Sequence, residues 1–286
     1  MMTKTNSTIG QKLRLFFALL LCLTVFLGVG AQAVQASAMT PAGTISATAQ
    51  QNGFALRGLR WVYLQNGKAV NGNGRLYSGT ILGQKGLYVV RNGAVDFTYR
   101  GLAFNKSGTY YCEYGKAIQT GPATRTIDNE KMTFDKDGKC TSARGMAVKV
   151  LYQCGFDLEK AFNWTVKTIK YYDRAPHMYD ATLSTAEYAE YGFKNHRGTC
   201  YVFSSVFYEL ARALGYNANN VKGYVLHNDG RKTDHGWVEI IQNGKTYVCD
   251  PEYQYETNYR KQSGYHFMKE YGSKGSLRYE KERNLK

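Results

Sequence analysis

Three short stretches in the last third of the 286-residue chain carry side chains able to do nucleophilic chemistry. Cys200 closes Arg197-Gly198-Thr199-Cys200, His235 lies in Asp234-His235-Gly236-Trp237, and Asp250 lies in Val248-Cys249-Asp250-Pro251. A thiol, an imidazole and a carboxylate supply a nucleophile, a general base and an orienting acid, provided the fold brings them together.

Gly198 and Thr199 break the preceding segment, which predicts Cys200 in the first turn of a helix over about 200–214. Phe203, Val206, Phe207, Leu210, Ala211 and Leu214 fall on one face of that helix, and Gly215 ends it. Unpaired backbone N–H groups and the positive end of the dipole at a helix start favour a thiolate and can hold an oxyanion. Taken alone, Cys200 reads equally as a small buried residue at a helix start.

The imidazole and the carboxylate are tied by a turn. Gln242-Asn243-Gly244-Lys245 reads as a two-residue hairpin turn, which pairs Gln242 with Lys245. Counting back from that pair sets Asp250 opposite Trp237. His235, two residues from Trp237, then points to the same face and is a diagonal neighbour of Asp250. Cys249 falls on the other face beside Val238, as a core or disulfide residue. The strands expected here cover 221–226, 235–241 and 246–249.

Upstream, Asp157 caps an expected helix through about residue 171, with Leu158, Phe162, Val166 and Ile169 at helical spacing. Residues 146–154 form a compact apolar-rich stretch. A loop surrounds Pro176, and Ser184-Thr185-Ala186-Glu187 is a capping box opening a short helix. Trp237 is a candidate roof for a substrate channel, with core packing as the alternative. His196 is a loop or cleft residue, and Tyr191 and Asn195 are candidate oxyanion donors that spacing does not single out. His177, His227 and His266 receive no role. Beyond Tyr259 the chain is polar and basic, with no clear element.

Residues 54–142 follow a different grammar of short aromatic strands punctuated by glycine. Turn glycines Gly67, Gly93, Gly115 and Gly138 recur at similar intervals, which predicts stacked β-hairpin repeats. Their rings (Trp61, Tyr63, Tyr88, Tyr99, Tyr110, Tyr111) can stack on sugars or pack between hairpins. Residues 1–36 read as an export signal. Lys4, Lys12 and Arg14 precede an apolar run, and small residues follow, with cleavage near Ala36. A retained membrane anchor is the runner-up. A Thr/Ser/Ala-rich linker covers 37–53. The expected location is therefore secreted or at the cell surface.

The net charge is +15, of which the leader carries three. Such a surplus suits anionic wall polymers or membrane surfaces, and the basic residues form no run dense enough to read as a nucleic-acid patch. Cys22 leaves with the leader, so Cys112, Cys140, Cys154, Cys200 and Cys249 remain. The odd count suggests one free thiol, and the other four can form two disulfides or lie buried. The 112–140–154 spacing matches no zinc pattern, so neither metal nor cofactor is expected.

Residues 143–256 resemble the transglutaminase-like superfamily, a papain-related cysteine fold. The matching stretches are Arg-Gly-Thr-Cys200 entering its helix, Leu214-Gly215-Tyr216 leading to Val221-Lys222-Gly223, His235-Gly-Trp-Val-Glu239 and Tyr247-Val-Cys-Asp-Pro251. The implied fold class is α+β, with the cysteine helix packed on an antiparallel sheet over 143–286, preceded by an all-β hairpin module over 54–142. The resemblance implies that Cys200 attacks a glutamine carboxamide or peptide carbonyl of a protein or peptide substrate and forms a thioester. His235 would move the proton, Asp250 would orient it, and the acyl group would pass to an amine or to water. A papain-type peptidase fits less well, because its third residue is usually Asn. The segment from Val90 to Ala103 resembles cell-wall-binding repeats of Gram-positive surface proteins, which implies a wall polymer or glycan as a second partner. The alternative function is a non-catalytic wall- or glycan-binding protein built on the same scaffold.

Overall fold

The computed structural model describes residues 51–174 and 181–286. The proposed leader, most of the linker, Pro176 and His177 lie outside the described residues.

The first described stretch is almost entirely β. A three-stranded sheet holds β1 (Gly53–Arg57), β2 (Arg60–Gln65) and β3 (Lys68–Ala69). A six-stranded sheet holds β4 (Arg75–Ile81), β5 (Gln84–Arg91), β6 (Ala94–Val95), β7 (Gly101–Asn105), β8 (Gly108–Glu113) and β9 (Lys116–Ala117), in the order β4-β5-β9-β8-β7 with β6 also on β5. β10 (Ala123–Ile127) and β11 (Glu130–Phe134) form a separate hairpin. Asn66-Gly67 and Asn92-Gly93 take the paired positive φ values that a two-residue hairpin turn requires. Leu76, Val89, Ala103, Tyr110 and Cys112 make one small core here. Of the six candidate stacking rings, Tyr88, Tyr110 and Tyr111 are buried and therefore pack.

Helices then take over: α1 (Ala143–Cys154), α2 (Leu158–Thr168), α3 (Thr185–Asn195), α4 (Cys200–Ala213) and, after the main sheet strands, α5 (Pro251–Tyr259). The parallel pair β12 (Lys170–Tyr171) and β13 (Arg197–Gly198) brackets α3. Asp157 accepts from the Lys160 N–H as the α2 cap, and Ser184 with Glu187 forms the expected reciprocal box on α3. The α2 helix ends at Thr168, three residues short of the expected boundary.

The main sheet is antiparallel, with order β17-β16-β15-β14-β18, where β14 is Asn217–Leu226, β15 Lys232–Gln242, β16 Lys245–Cys249, β17 Lys269–Glu270 and β18 Tyr279–Asn284. The C-terminal stretch that shows no element in its pattern thus supplies both edges of this sheet. Helix α4 lies on it: Phe203, Val206, Phe207 and Leu210 are fully buried with Val238, Ile240 and Cys249. Each such side chain contributes about 1.5–3 kcal/mol by leaving water, so burial of its apolar face holds α4.

Helix α1 joins the two regions. Arg144 reaches Glu209 of α4 at 2.7 Å and Glu130 of β11 at 2.6 Å. Thr109 donates to the Gly145 carbonyl at 2.7 Å, and the Tyr152 hydroxyl donates to the Gly74 carbonyl at 2.6 Å. All five described cysteines are free thiols, so the disulfide option for Cys112, Cys140, Cys154 and Cys249 is not realised. No helix among the described residues is long and apolar enough to cross a membrane.

Candidate active site

Cys200 is the first residue of α4, after Thr199 at the cap position, and is 7% exposed. Thr199 makes no side-chain cap bond to the helix. Gly198 is required just before it, because a Cβ there would meet the Val202 side chain at 2.4 Å.

His235 sits on β15, and its neighbour Gly236 faces α4. A Cβ on Gly236 would lie 2.7 Å from the Tyr201 ring and 3.1 Å from Ser204 Oγ. Close approach of the imidazole strand to the thiol helix therefore depends on a missing side chain.

The β15–β16 register pairs Gln242 with Lys245 and Val238 with Cys249, with Asn243 and Gly244 both at positive φ. The counted pairing of Asp250 with Trp237 is not made. β16 stops at Cys249, and Asp250 is the N-cap of α5 with Pro251 at the first helical position. Pro251 has no N–H for a ladder and has a φ suited to a helix start, so the chain turns there. One oxygen of Asp250 caps the Tyr253 N–H at 2.9 Å, while the other lies 2.7 Å from His235 Nε2. Tyr279 of β18 donates its hydroxyl to that second oxygen at 2.8 Å. Asp250 is fully buried and His235 nearly so.

Burial works against a charged imidazole, yet the charge and hydrogen bond of Asp250, reinforced by a hydrogen bond and charge from Cys200, hold the His235 pKa well above its ordinary value. Burial likewise opposes an ionised Asp250, but His235, the Tyr253 N–H and the Tyr279 hydroxyl keep its pKa below the usual range. An ionised carboxylate can only accept, so His235 Nε2–H is the donor. Nδ1 is the nitrogen left for proton transfer.

A second acid stands on that other side. Glu252 Oε2 lies 3.7 Å from His235 Nδ1. Burial pushes the Glu252 carboxyl up to about 7, against the lowering effect of His235. Glu252 was not singled out in the sequence, although Asp250-Pro251-Glu252 carries the signature of a helix start: a capping Asp, a Pro and an acid in the first turn. His235, Asp250 and Glu252 bring one possible metal-ligand atom each within 4.8 Å of one another. Asp250 and His235 already engage each other, so the set reads as an ion pair with a neighbouring acid. A cavity of about 380 Å³ opens beside His235 and Glu252, with Glu256 and Arg260 also on its wall.

Of the other candidates, Trp237 is fully buried, stacks on the His235 ring with centroids 6.3 Å apart, packs on Tyr279 and donates Nε1–H to the Tyr271 hydroxyl at 2.8 Å. His196 ends α3 in a left-handed conformation. Asn195 donates to the Tyr191 carbonyl at 3.0 Å. His227 is paired with Thr233, and His266 is buried against Thr257. Cys249 is turned into the helical core, where burial pushes its thiol up to about 12.

Residues 157–255 match the model of the Transglutaminase-like superfamily, a span that contains Cys200, His235, Asp250 and Glu252. No curated protein matches the chain. Among solved structures, one similar chain is described as "a Putative Cysteine Protease from Cytophaga hutchinsonii", with 17% identity and a TM-score of 0.31. The similarity covers 38% of this chain and 37% of that one, so the protein spans little more than a third of that relative's length. The matched family supports a cysteine-dependent, enzyme-like function for this part of the chain.

Proposed function

We propose that the protein is a cysteine enzyme acting on amide bonds of protein or peptide substrates through a Cys200 thioester. The observation that carries this reading is His235 held between Asp250, at 2.7 Å on Nε2, and the thiol at the start of α4. His235 takes the Cys200 proton, and Sγ attacks the carbonyl carbon of a glutamine-type carboxamide or a peptide bond. The C–S bond forms, the C–N bond breaks, and the imidazolium proton goes to the leaving nitrogen, released as ammonia or an amine. An amine or water then attacks the thioester, His235 takes its proton, and Cys200 leaves as thiolate. First-turn N–H groups of α4 stabilise the oxyanion of each addition.

On this reading residues 1–36 export the chain. The hairpin region then keeps the enzyme at the cell surface.

Labelling by an iodoacetamide probe at neutral pH tests the nucleophile. The native protein should label first at Cys200, and Cys200→Ala should lose that fast phase. Labelling that persists at full rate in the variant removes Cys200 from the role. Mass spectrometry of a glutamine-containing peptide, with and without a primary amine, separates transfer from hydrolysis.

A further inference from the structure

Tyr279 opens β18, an edge strand that lies outside the matched span 157–255. Its hydroxyl donates to Asp250 Oδ2 at 2.8 Å, the same oxygen that lies 2.7 Å from His235 Nε2. With the Tyr253 N–H on Oδ1, the fully buried carboxylate accepts three hydrogen bonds, two of them on the oxygen that faces the imidazole. Without the Tyr279 hydroxyl, a lone pair of a buried anion would lack its partner at the position that must balance an imidazolium, which is costly.

The ring is held as firmly as the hydroxyl. It packs on Trp237 with centroids 4.8 Å apart and stacks on the His235 ring at 6.4 Å. Trp237 donates to the Tyr271 hydroxyl and Tyr271 donates to Glu239, which also accepts from Lys281 of β18 at 2.7 Å. Lys281 stands two residues beyond Tyr279, so the same edge strand is tied down twice on one face. Gly223 of β14 lets these parts meet: a Cβ there would lie 2.6 Å from the Trp237 ring and 3.0 Å from Lys281 Cα. The β14–β18 register also shifts there, between Lys222 and Gly223, and a bulge of this kind re-aims the side chains of its strand.

We propose that Tyr279 is a positioning residue for the thiol chemistry: its hydroxyl fixes Asp250 Oδ2 on His235 Nε2, so that Nδ1 stays turned to the reacting side. The role rests on the reading of Cys200 and His235 as the thioester-forming pair. Tyr279 acts only through Asp250. Packing alone does not account for it, because a phenylalanine ring would meet Trp237 and His235 as well, whereas the O–H goes to the one carboxylate that orients the imidazole. Burial and the Asp250 charge hold the Tyr279 pKa well above its ordinary value, so the hydroxyl keeps the proton it donates.

A double-mutant cycle on the full chain tests it. Alkylation of Cys200 by iodoacetamide at neutral pH is timed in the native protein, Tyr279→Phe, Asp250→Asn and the double variant. Tyr279→Phe, which keeps the ring, should slow alkylation by about ten-fold or more. In the Asp250→Asn background the same change should alter the rate by no more than about two-fold, because the carboxylate it serves is gone. Tyr271→Phe, which removes a neighbouring hydroxyl with no bond to Asp250, should slow alkylation less than Tyr279→Phe does. A native rate in Tyr279→Phe, equal slowing with and without the carboxylate, or as large an effect in Tyr271→Phe overturns the proposal. Proton NMR of the His235 Nε2–H reads the same positioning without any reaction. Its exchange with water should be about ten-fold faster in Tyr279→Phe than in the native protein. If native Cys200 shows no fast alkylation, the thioester reading fails, and unchanged exchange in Tyr279→Phe then overturns the positioning role as well.

Discussion

Asp250 serves His235 and helix α5 at once. Its Oδ2 lies 2.7 Å from His235 Nε2, and its Oδ1 caps the Tyr253 N–H at 2.9 Å. The imidazole is thus oriented by a fully buried carboxylate whose own position is set by a helix start.

Asp250→Asn separates the two duties. Asparagine caps a helix about as well as aspartate, so circular dichroism should stay native. It cannot balance an imidazolium, so thioester formation should slow by about 10²–10⁴-fold. Asp250→Ala should lose the same rate and a further ~1 kcal/mol of stability from the missing cap. Single-turnover kinetics with a denaturant titration reads both, and an unchanged rate in Asp250→Asn removes the carboxylate from the reaction.

Glu252 should leave a signature in pH. Its folded pKa, about 7, is above its ordinary 4.5, so the native state holds the proton more tightly than the unfolded chain does. The stability it contributes is complete below about pH 4.5 and is lost as pH rises through about 7. His235, Asp250, Glu256 and Arg260 face it and remain the same in Glu252→Gln. That variant should lack this loss, which is on the order of 3 kcal/mol. Melting curves from pH 4.5 to 8 make the comparison, and parallel curves for the two proteins would refute the assignment.

Gly236→Ala should push β15 away from α4. The added methyl meets the Tyr201 ring at 2.7 Å, next to the residue that carries the imidazole. A destabilisation of about 1–3 kcal/mol is expected from overpacking. A displacement of the order of 1 Å between imidazole and thiol would lower the rate by up to about 10²-fold. Crystallography or a rate near native would show whether the strand can yield.

Arg144→Ala should cost about 3–5 kcal/mol, because it strands the buried Glu209 carboxylate. Burial already pushes the Glu209 pKa up, with Arg144 pulling it down. Arg144→Met combined with Glu209→Leu should recover most of the loss, since neither charge is then left alone. Denaturant midpoints measure both, and a silent Arg144→Ala would show that α1 and α4 do not lean on this contact.

Much of the site is written in short-range patterns. The Asn243-Gly244 turn sets the hairpin register, and that register alone turns Cys249 into the core and leaves His235 able to meet Asp250. The capping box at Ser184 and the helix beginning at Cys200 follow from local backbone preferences and a 3.6-residue apolar period. Such signals act over a few residues, where φ, ψ and side-chain capping are decided by near neighbours.

What the tertiary structure decided involves residues far apart in the chain. Tyr279 closes on Asp250 from an edge strand whose sequence is polar and shows no alternation, because pairing with β14 rather than burial makes it a strand. Asp250 caps a helix rather than pairing with Trp237 because Pro251 starts α5, and that turn carries Glu252 to the free side of His235. The seam of hairpins and α1 is joined by the Tyr152 bond to Gly74, 78 residues away. Contacts of this range are selected by packing and burial of the whole chain, so the residues that tune the site became visible only once the sheet and its helices were assembled.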